Sequence, residues 1–159
     1  MNALAQKLGE RLKARRAMLV TAESCTGGWA AQAVTAVAGS SEWFERGFVT
    51  YSNAAKEEML GVRPETLARH GAVSEETARE MALGALARSH GTIALAITGI
   101  AGPTGGSVAK PVGTVCFAWA VKDGASRAET RRFSGDRDAV RRQSVELALR
   151  AVLELLDAG

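Results

Sequence analysis

The chain has 159 residues, a formal net charge of +3, 47% hydrophobic and 23% charged residues. That length buries roughly 70% of the unfolded surface in one core, without need of a disulfide or metal. No apolar run reaches membrane-spanning length and no signal-peptide core is present, which argues against a membrane partner. The two cysteines, Cys25 and Cys116, have no paired spacing, so a reducing cytoplasm is expected. Aromatic residues make up only 5%, and no basic block is interleaved with them, which argues against nucleic acid. Positive charge gathers late: between Arg127 and Arg150 seven arginines face four acids, an excess suited to a small phosphate rather than a duplex.

Leu4, Leu8 and Leu12 at four-residue spacing predict a first helix from Asn2 to about Arg16, followed by a strand at Met18–Ala22. A second helix is expected from about Gly27 to Val37, with Ala30, Ala33, Val34 and Val37 as its apolar stripe. Gly39-Ser40-Ser41 breaks the chain before Trp43 and Phe44, and Gly47–Tyr51 reads as the second strand. Asn53 is expected to cap a short helix that carries Lys56 and stops at Gly61. Pro64 opens a turn between Arg63 and Gly71. Ser74 caps the next helix, with Glu75 and Glu76 in its first turn and an end at Gly91. Thr92–Thr98 is an apolar strand that runs into the glycine-rich Gly99–Ser107. Val112–Val121 and Ala125–Phe133 form a hairpin around Asp123-Gly124, with Arg127, Glu129, Arg131 and Phe133 on one face. A last helix from Asp136 to about Leu156 buries Val140, Leu147 and its terminal leucines. This order predicts a single α/β domain over residues 1–159, an α/β/α layered sandwich around a mixed sheet.

Ser24 lies where the first strand turns into the second helix, a position where open α/β sheets bind ligands. Tyr51, Asn53 and Lys56 follow the second strand and can converge on it. A serine hydroxyl needs a base, and a lysine amine serves when burial favours its neutral form. Tyr51 can relay a proton and Asn53 can position the amine. The same spacing also fits a helix-capping serine and a solvated lysine. Cys25 is a rival nucleophile, with only His70 and His90 to assist it; it equally fits a small buried hydrophobe, as Cys116 does in its strand. Gly99–Ser107 can bring backbone N–H groups to a phosphate or an oxyanion, and it can equally be a flexible connection. It matches neither a Walker A loop nor a dinucleotide fingerprint. Arg137, Arg141 and Arg142 open the last helix, where cations oppose the helix dipole unless an anion sits nearby. The histidines and cysteines share no ligand spacing, so no metal and no cofactor is expected.

Five stretches carry a resemblance over nearly the whole chain: Thr21-Ala22-Glu23-Ser24-Cys25-Thr26-Gly27-Gly28, Gly47–Lys56, Gly99–Ser107, Lys110–Val115 and Ser134–Arg142. Together they resemble the CinA C-terminal domain family, and in particular its stand-alone amidohydrolases. The resemblance implies deamidation of nicotinamide mononucleotide to nicotinate mononucleotide and ammonia, in recycling of the pyridine nucleotide pool. It also implies Ser24 as nucleophile and Lys56 as base, with Tyr51 close to both. The inferred binding set is Thr26, Gly27 and Gly28, Asn53, Thr98 with the Gly99, Gly102, Gly105 and Gly106 loop, and Arg137 and Arg141. Longer family members carry an N-terminal domain linked to pyrophosphatase activity, and nothing in these residues corresponds to it. A homodimer is the family's default. A module of the same fold that binds a nucleotide or a partner without catalysis is the alternative reading.

Overall fold

A computed structural model describes residues 1–158. Along the chain come α1 (Asn2–Ala14), β1 (Leu19–Glu23), α2 (Trp29–Thr35), a 3-10 turn (Ser40–Glu42) and β2 (Phe44–Val49). Then follow α3 (Asn53–Leu60), α4 (Pro64–His70), α5 (Glu75–Ala87), β3 (Ile93–Gly99), β4 (Thr114–Val121), β5 (Ser126–Arg132) and α6 (Arg137–Ala158). The strands form one sheet in the order β2-β1-β3-β4-β5. β1 is parallel to both β2 and β3, while β3–β4 and β4–β5 are antiparallel.

Period-two alternation along the central strands divides the core into two layers. Leu19, Ile93, Leu95, Ile97, Val115, Phe117 and Trp119 pack with α1, α2 and α6. The residues between them, Val20, Ala22, Ala94, Ala96, Ala118 and Ala120, face α5, which answers with Ala78, Met81, Ala82 and Ala85. Bulk is thus concentrated on the α6 side, where the Phe117 and Trp119 rings stack 5.7 Å apart and Trp119 Nε1 donates to Ala148 O at 3.1 Å. Alanine on the other face lets α5 lie close to the strands.

The mixed α/β architecture matches the expectation, and the differences lie at element ends. The second strand covers Phe44–Val49 rather than Gly47–Tyr51, because parallel pairing with β1 starts at Phe44 opposite Leu19. As an edge strand it is only half covered, so its hydrophobic alternation is weak. Ser52, not Asn53, caps α3: its hydroxyl accepts from Ala55 N at 3.0 Å. The Pro64 turn continues as helix α4, with proline at the start, where its missing N–H costs nothing. α5 ends at Ala87, short of Gly91, while its expected Ser74 cap is present. Leu147 is half-buried; Val145, Ala148 and Leu149 take the interior positions of α6.

Candidate active site

The carboxyl ends of β1, β2 and β3 meet at one edge of the sheet, and the chain after each supplies part of the site. Ser24 directly follows β1, and its N–H still donates to Ile97 O at 2.9 Å. Strand alternation therefore carries one residue past the element. Glu23 turns to the α2 side and Ser24 to the α3 side, where Lys56 lies.

Lys56 Nζ sits 3.0 Å from Ser24 Oγ, 2.9 Å from Thr50 O and 3.3 Å from Tyr51 O. Lys56 is 1% exposed and has no carboxylate partner, so burial pulls its amine below the ordinary lysine range. In the neutral form two N–H groups go to the two carbonyls, and the lone pair is left for the Ser24 hydroxyl proton. Both Ser24, 7% exposed, and Lys56 are held by neighbouring backbone, so the pair is preorganised rather than assembled by chance rotamers.

Tyr51 touches this pair through its backbone carbonyl, 3.5 Å from Ser24 Oγ and 3.3 Å from Lys56 Nζ. Its hydroxyl, expected as a proton relay, instead accepts from Arg137 Nη2 at 3.2 Å on an exposed ring, because the β2–α3 turn points the side chain outward. Cys25 is buried and its thiol is pushed up to about 11, by burial first and by the Glu23 charge further. It is a thiol, not a thiolate, across the ordinary pH range. His70 and His90 stand elsewhere: His70 faces Glu76 at 3.6 Å, and the His90 N–H donates to Glu45 at 3.0 Å.

Glu23 had no assigned role in the sequence, and the structure gives it one. Its carboxylate is 1% exposed; Oε1 accepts from Thr26 Oγ1 at 2.6 Å and Ala30 N at 2.8 Å, and Oε2 accepts from Ala31 N at 3.1 Å. The chain's own acid thus fills the start of α2. The donors there are spent, since Gly27 N goes to Ser24 O and Trp29 N to Thr26 O. Thr26 is wholly buried with its hydroxyl on Glu23, and Gly27 and Gly28 take left-handed φ of 58° and 103° to turn the chain into the helix. None of these three lines the cavity described next. The available signal was an acid at the end of an otherwise apolar strand.

A cavity of about 320 Å³ opens over Ser24 and Lys56. Tyr51, Asn53, Thr98 and Arg137 contribute to its walls, with Gly99, Gly102, Gly105 and Gly106 from the glycine-rich loop. Thr98 Oγ1 donates to Ala72 O at 2.8 Å, and Asn53 stands exposed at the mouth. Arg137 Nη1 donates to Gly102 O at 2.8 Å, so its guanidinium links the loop to Tyr51 across the opening. Arg141 is outside this cavity; its Nε donates to Cys25 O at 3.1 Å and its Nη2 to Thr26 O at 3.2 Å. A hollow of about 430 Å³ lies elsewhere on the surface and one of about 690 Å³ adjoins this cavity at Ala101 and Arg137, yet neither contains a paired nucleophile and base. Chemistry, not size, selects the smaller one. Among the described residues no three His, Cys, Asp or Glu side chains are grouped to hold a metal ion, and no helix is long and apolar enough to cross a membrane.

The family model of the CinA C-terminal domain matches residues 1–156. The nicotinamide-nucleotide amidohydrolase PncC of Escherichia coli strain K12 is 59% identical over 149 residues, covering 94% of this chain and 90% of that protein. The protein of the same name from Pseudomonas putida is 54% identical over 153 residues, covering 96% and 94%. The crystal structure of the competence/damage inducible protein CihA from Agrobacterium tumefaciens superposes with a TM-score of 0.94 at 46% identity, covering 98% of this chain and 94% of that one. With a match this long in both sequence and fold, the chain belongs to the CinA C-terminal domain family.

Proposed function

We propose that this chain is a nicotinamide-nucleotide amidohydrolase that converts nicotinamide mononucleotide to nicotinate mononucleotide and ammonia, with Ser24 as nucleophile and Lys56 as base. The carrying observation is the 3.0 Å contact between Ser24 Oγ and a buried lysine amine that has no counter-ion. The relatives named as nicotinamide-nucleotide amidohydrolases support the substrate.

The hydroxyl proton of Ser24 passes to the Lys56 lone pair as Oγ attacks the carboxamide carbon, making a C–O bond and a tetrahedral oxyanion. The C–N bond breaks as the Lys56 ammonium returns the proton to the departing nitrogen, and ammonia leaves an acyl-Ser24 ester. Water then gives a proton to Lys56 and attacks the ester carbonyl. Release of the carboxylate restores the Ser24 hydroxyl and the neutral amine. Thr50 O and Tyr51 O hold the amine in place in every step. Arg137 at the mouth and the 104–106 backbone suit the phosphate, supplying a cation and peptide N–H groups without a side chain in the way. In the cell this places the protein in the cytoplasm, in recycling of the pyridine nucleotide pool.

The test is ammonia release by the purified protein from nicotinamide mononucleotide, beside nicotinamide riboside and the Ser24→Ala variant, with a chelator present. Chelator-insensitive release from the nucleotide, lost in the variant, is expected. A folded protein that binds the nucleotide without consuming it would replace this reading with a binding module.

A further inference from the structure

Two peptide planes flank Cys25, and each is held at its carbonyl end. Ser24 O accepts from Gly27 N at 3.1 Å, closing the turn. Cys25 O accepts from Arg141 Nε at 3.1 Å, across 116 residues of sequence. A trans peptide is planar, with its C=O and the following N–H pointing opposite ways, so holding the carbonyl sets the direction of the N–H. The N–H groups at the far ends of these planes belong to Cys25 and Thr26, and neither donates to a backbone carbonyl among the described residues. Of the two residues Cys25 lines the cavity, so its N–H is a backbone donor beside the nucleophile of the kind that receives an oxyanion.

Arg141 is built for this hold. Its fork takes Cys25 O and Thr26 O together, and its guanidinium carbon lies 5.4 Å from the Trp29 ring centroid, which fixes the plane from the side. Two of its five N–H donors are thereby spent on the chain rather than turned toward the Ser24 cavity, which Arg141 does not line. The Thr26 hydroxyl, drawn to Glu23 at 2.6 Å, anchors the opposite side of the turn. Resting on the amidohydrolase reading above, we propose that Arg141 is a positioning residue for the oxyanion site: by gripping Thr26 O it aims the Gly27 N–H at Ser24 O, and the Ser24 carbonyl so held presents the Cys25 N–H to the carboxamide oxygen of the substrate. In this role it holds backbone and does not touch the substrate, unlike its place in the inferred binding set.

The experiment compares Arg141→Gln and Arg141→Lys with the unmodified protein, reading kcat and KM for nicotinamide mononucleotide and calorimetric affinity for the product, nicotinate mononucleotide. Loss of a preorganised oxyanion donor lowers kcat on the order of 10²–10³-fold, and that is the expectation for Arg141→Gln. Arg141→Lys keeps the charge but not the fork, so its kcat is also expected to fall, by about tenfold or more. KM and product affinity should stay within about threefold in both, since the group acts in the transition state. Product binding weakened tenfold or more with kcat preserved would make Arg141 a phosphate ligand and overturn the inference, as would kcat unchanged in both variants. Should Arg141→Gln melt out, Arg141→Lys decides alone. Silence of the unmodified protein toward the nucleotide sinks the underlying reading, and this inference with it; an active enzyme with either overturning pattern sinks the inference alone.

Discussion

The nucleophile turn, residues 23–28, and the glycine-rich loop, residues 99–107, face each other across one cavity and are made in opposite ways. In the turn the carboxylate and the carbonyls are engaged within the chain: Glu23 accepts from Thr26, Ala30 and Ala31, and Arg141 holds two carbonyls. The loop is tied at its ends, Gly99 and Ile100 to Val115, Thr114 and Gly113 and Ser107 to Lys110, and by Arg137 at Gly102 O, while the N–H groups of Thr104, Gly105 and Gly106 have no backbone acceptor among the described residues. The reacting atom is fixed to fractions of an ångström by buried, satisfied contacts, whereas the substrate side offers open backbone. Between the turn and the facing Lys56 of α3, the same burial has two outcomes. Glu23 keeps three hydrogen bonds that satisfy its charge, and Lys56 lacks a counter-ion and is pushed toward the neutral amine.

The contrast breaks most completely at the dyad. Ser24→Ala and Lys56→Met should each lower kcat by about 10⁴-fold or more in an ammonia-release assay, with the nucleotide still bound. Lys56→Met also reports on the cost of the buried amine. The folded-state pKa of Lys56 lies below its unfolded value, so between the two the unfolded chain binds more protons and the native protein gains stability as pH rises. The melting temperature of Lys56→Met relative to the unmodified protein should therefore be most favourable at low pH and shrink as pH climbs toward the ordinary lysine range. A difference independent of pH would contradict the depressed amine. The same sign governs activity: kcat/KM should rise with pH as the Lys56 ammonium loses its proton, with a midpoint below the ~10.4 of ordinary lysine.

On the loop side the effect is smaller and falls on binding. Gly106 has φ 85°, and a Cβ there would lie 2.9 Å from Val112 N. Gly106→Ala should cost about 1–2 kcal/mol in a denaturant titration from the left-handed backbone alone. By displacing the loop it should lower kcat/KM on the order of 10²-fold, mainly through KM. A loss confined to kcat would move the loop from substrate binding to the oxyanion. The smallest effect is expected at Cys25. With its thiol pushed up to about 11, Cys25→Ala should keep activity within about threefold and cost about 1 kcal/mol of packing. Activity that vanished in this variant while surviving in Ser24→Ala would hand the chemistry to sulfur.

The elements were legible wherever a local rule dominates. Ser74 ahead of two glutamates capped α5 as expected, and the leucine spacing of α1 and the Asp123-Gly124 hairpin stand where periodicity placed them. The edge strand β2 differs from its expected ends and α4 stands where only a turn is expected, since half-covered strands lack alternation and proline starts helices as readily as it starts turns.

At the site, the sequence by itself determined the chemical types: a serine at a strand-to-helix turn, a lysine after the next strand, and glycines where backbone must come close. Only the tertiary structure decided their roles. Whether a lysine is a solvated cation or a buried amine depends on the desolvation that α3 imposes by packing on the sheet. Whether a tyrosine presents its hydroxyl or its carbonyl depends on a turn's direction. Glu23 and Arg141 were invisible as a bracket around Ser24, because one comes from the end of β1 and the other from α6, 118 positions later. Backbone hydrogen-bond accounting across that distance is a property of the folded chain alone.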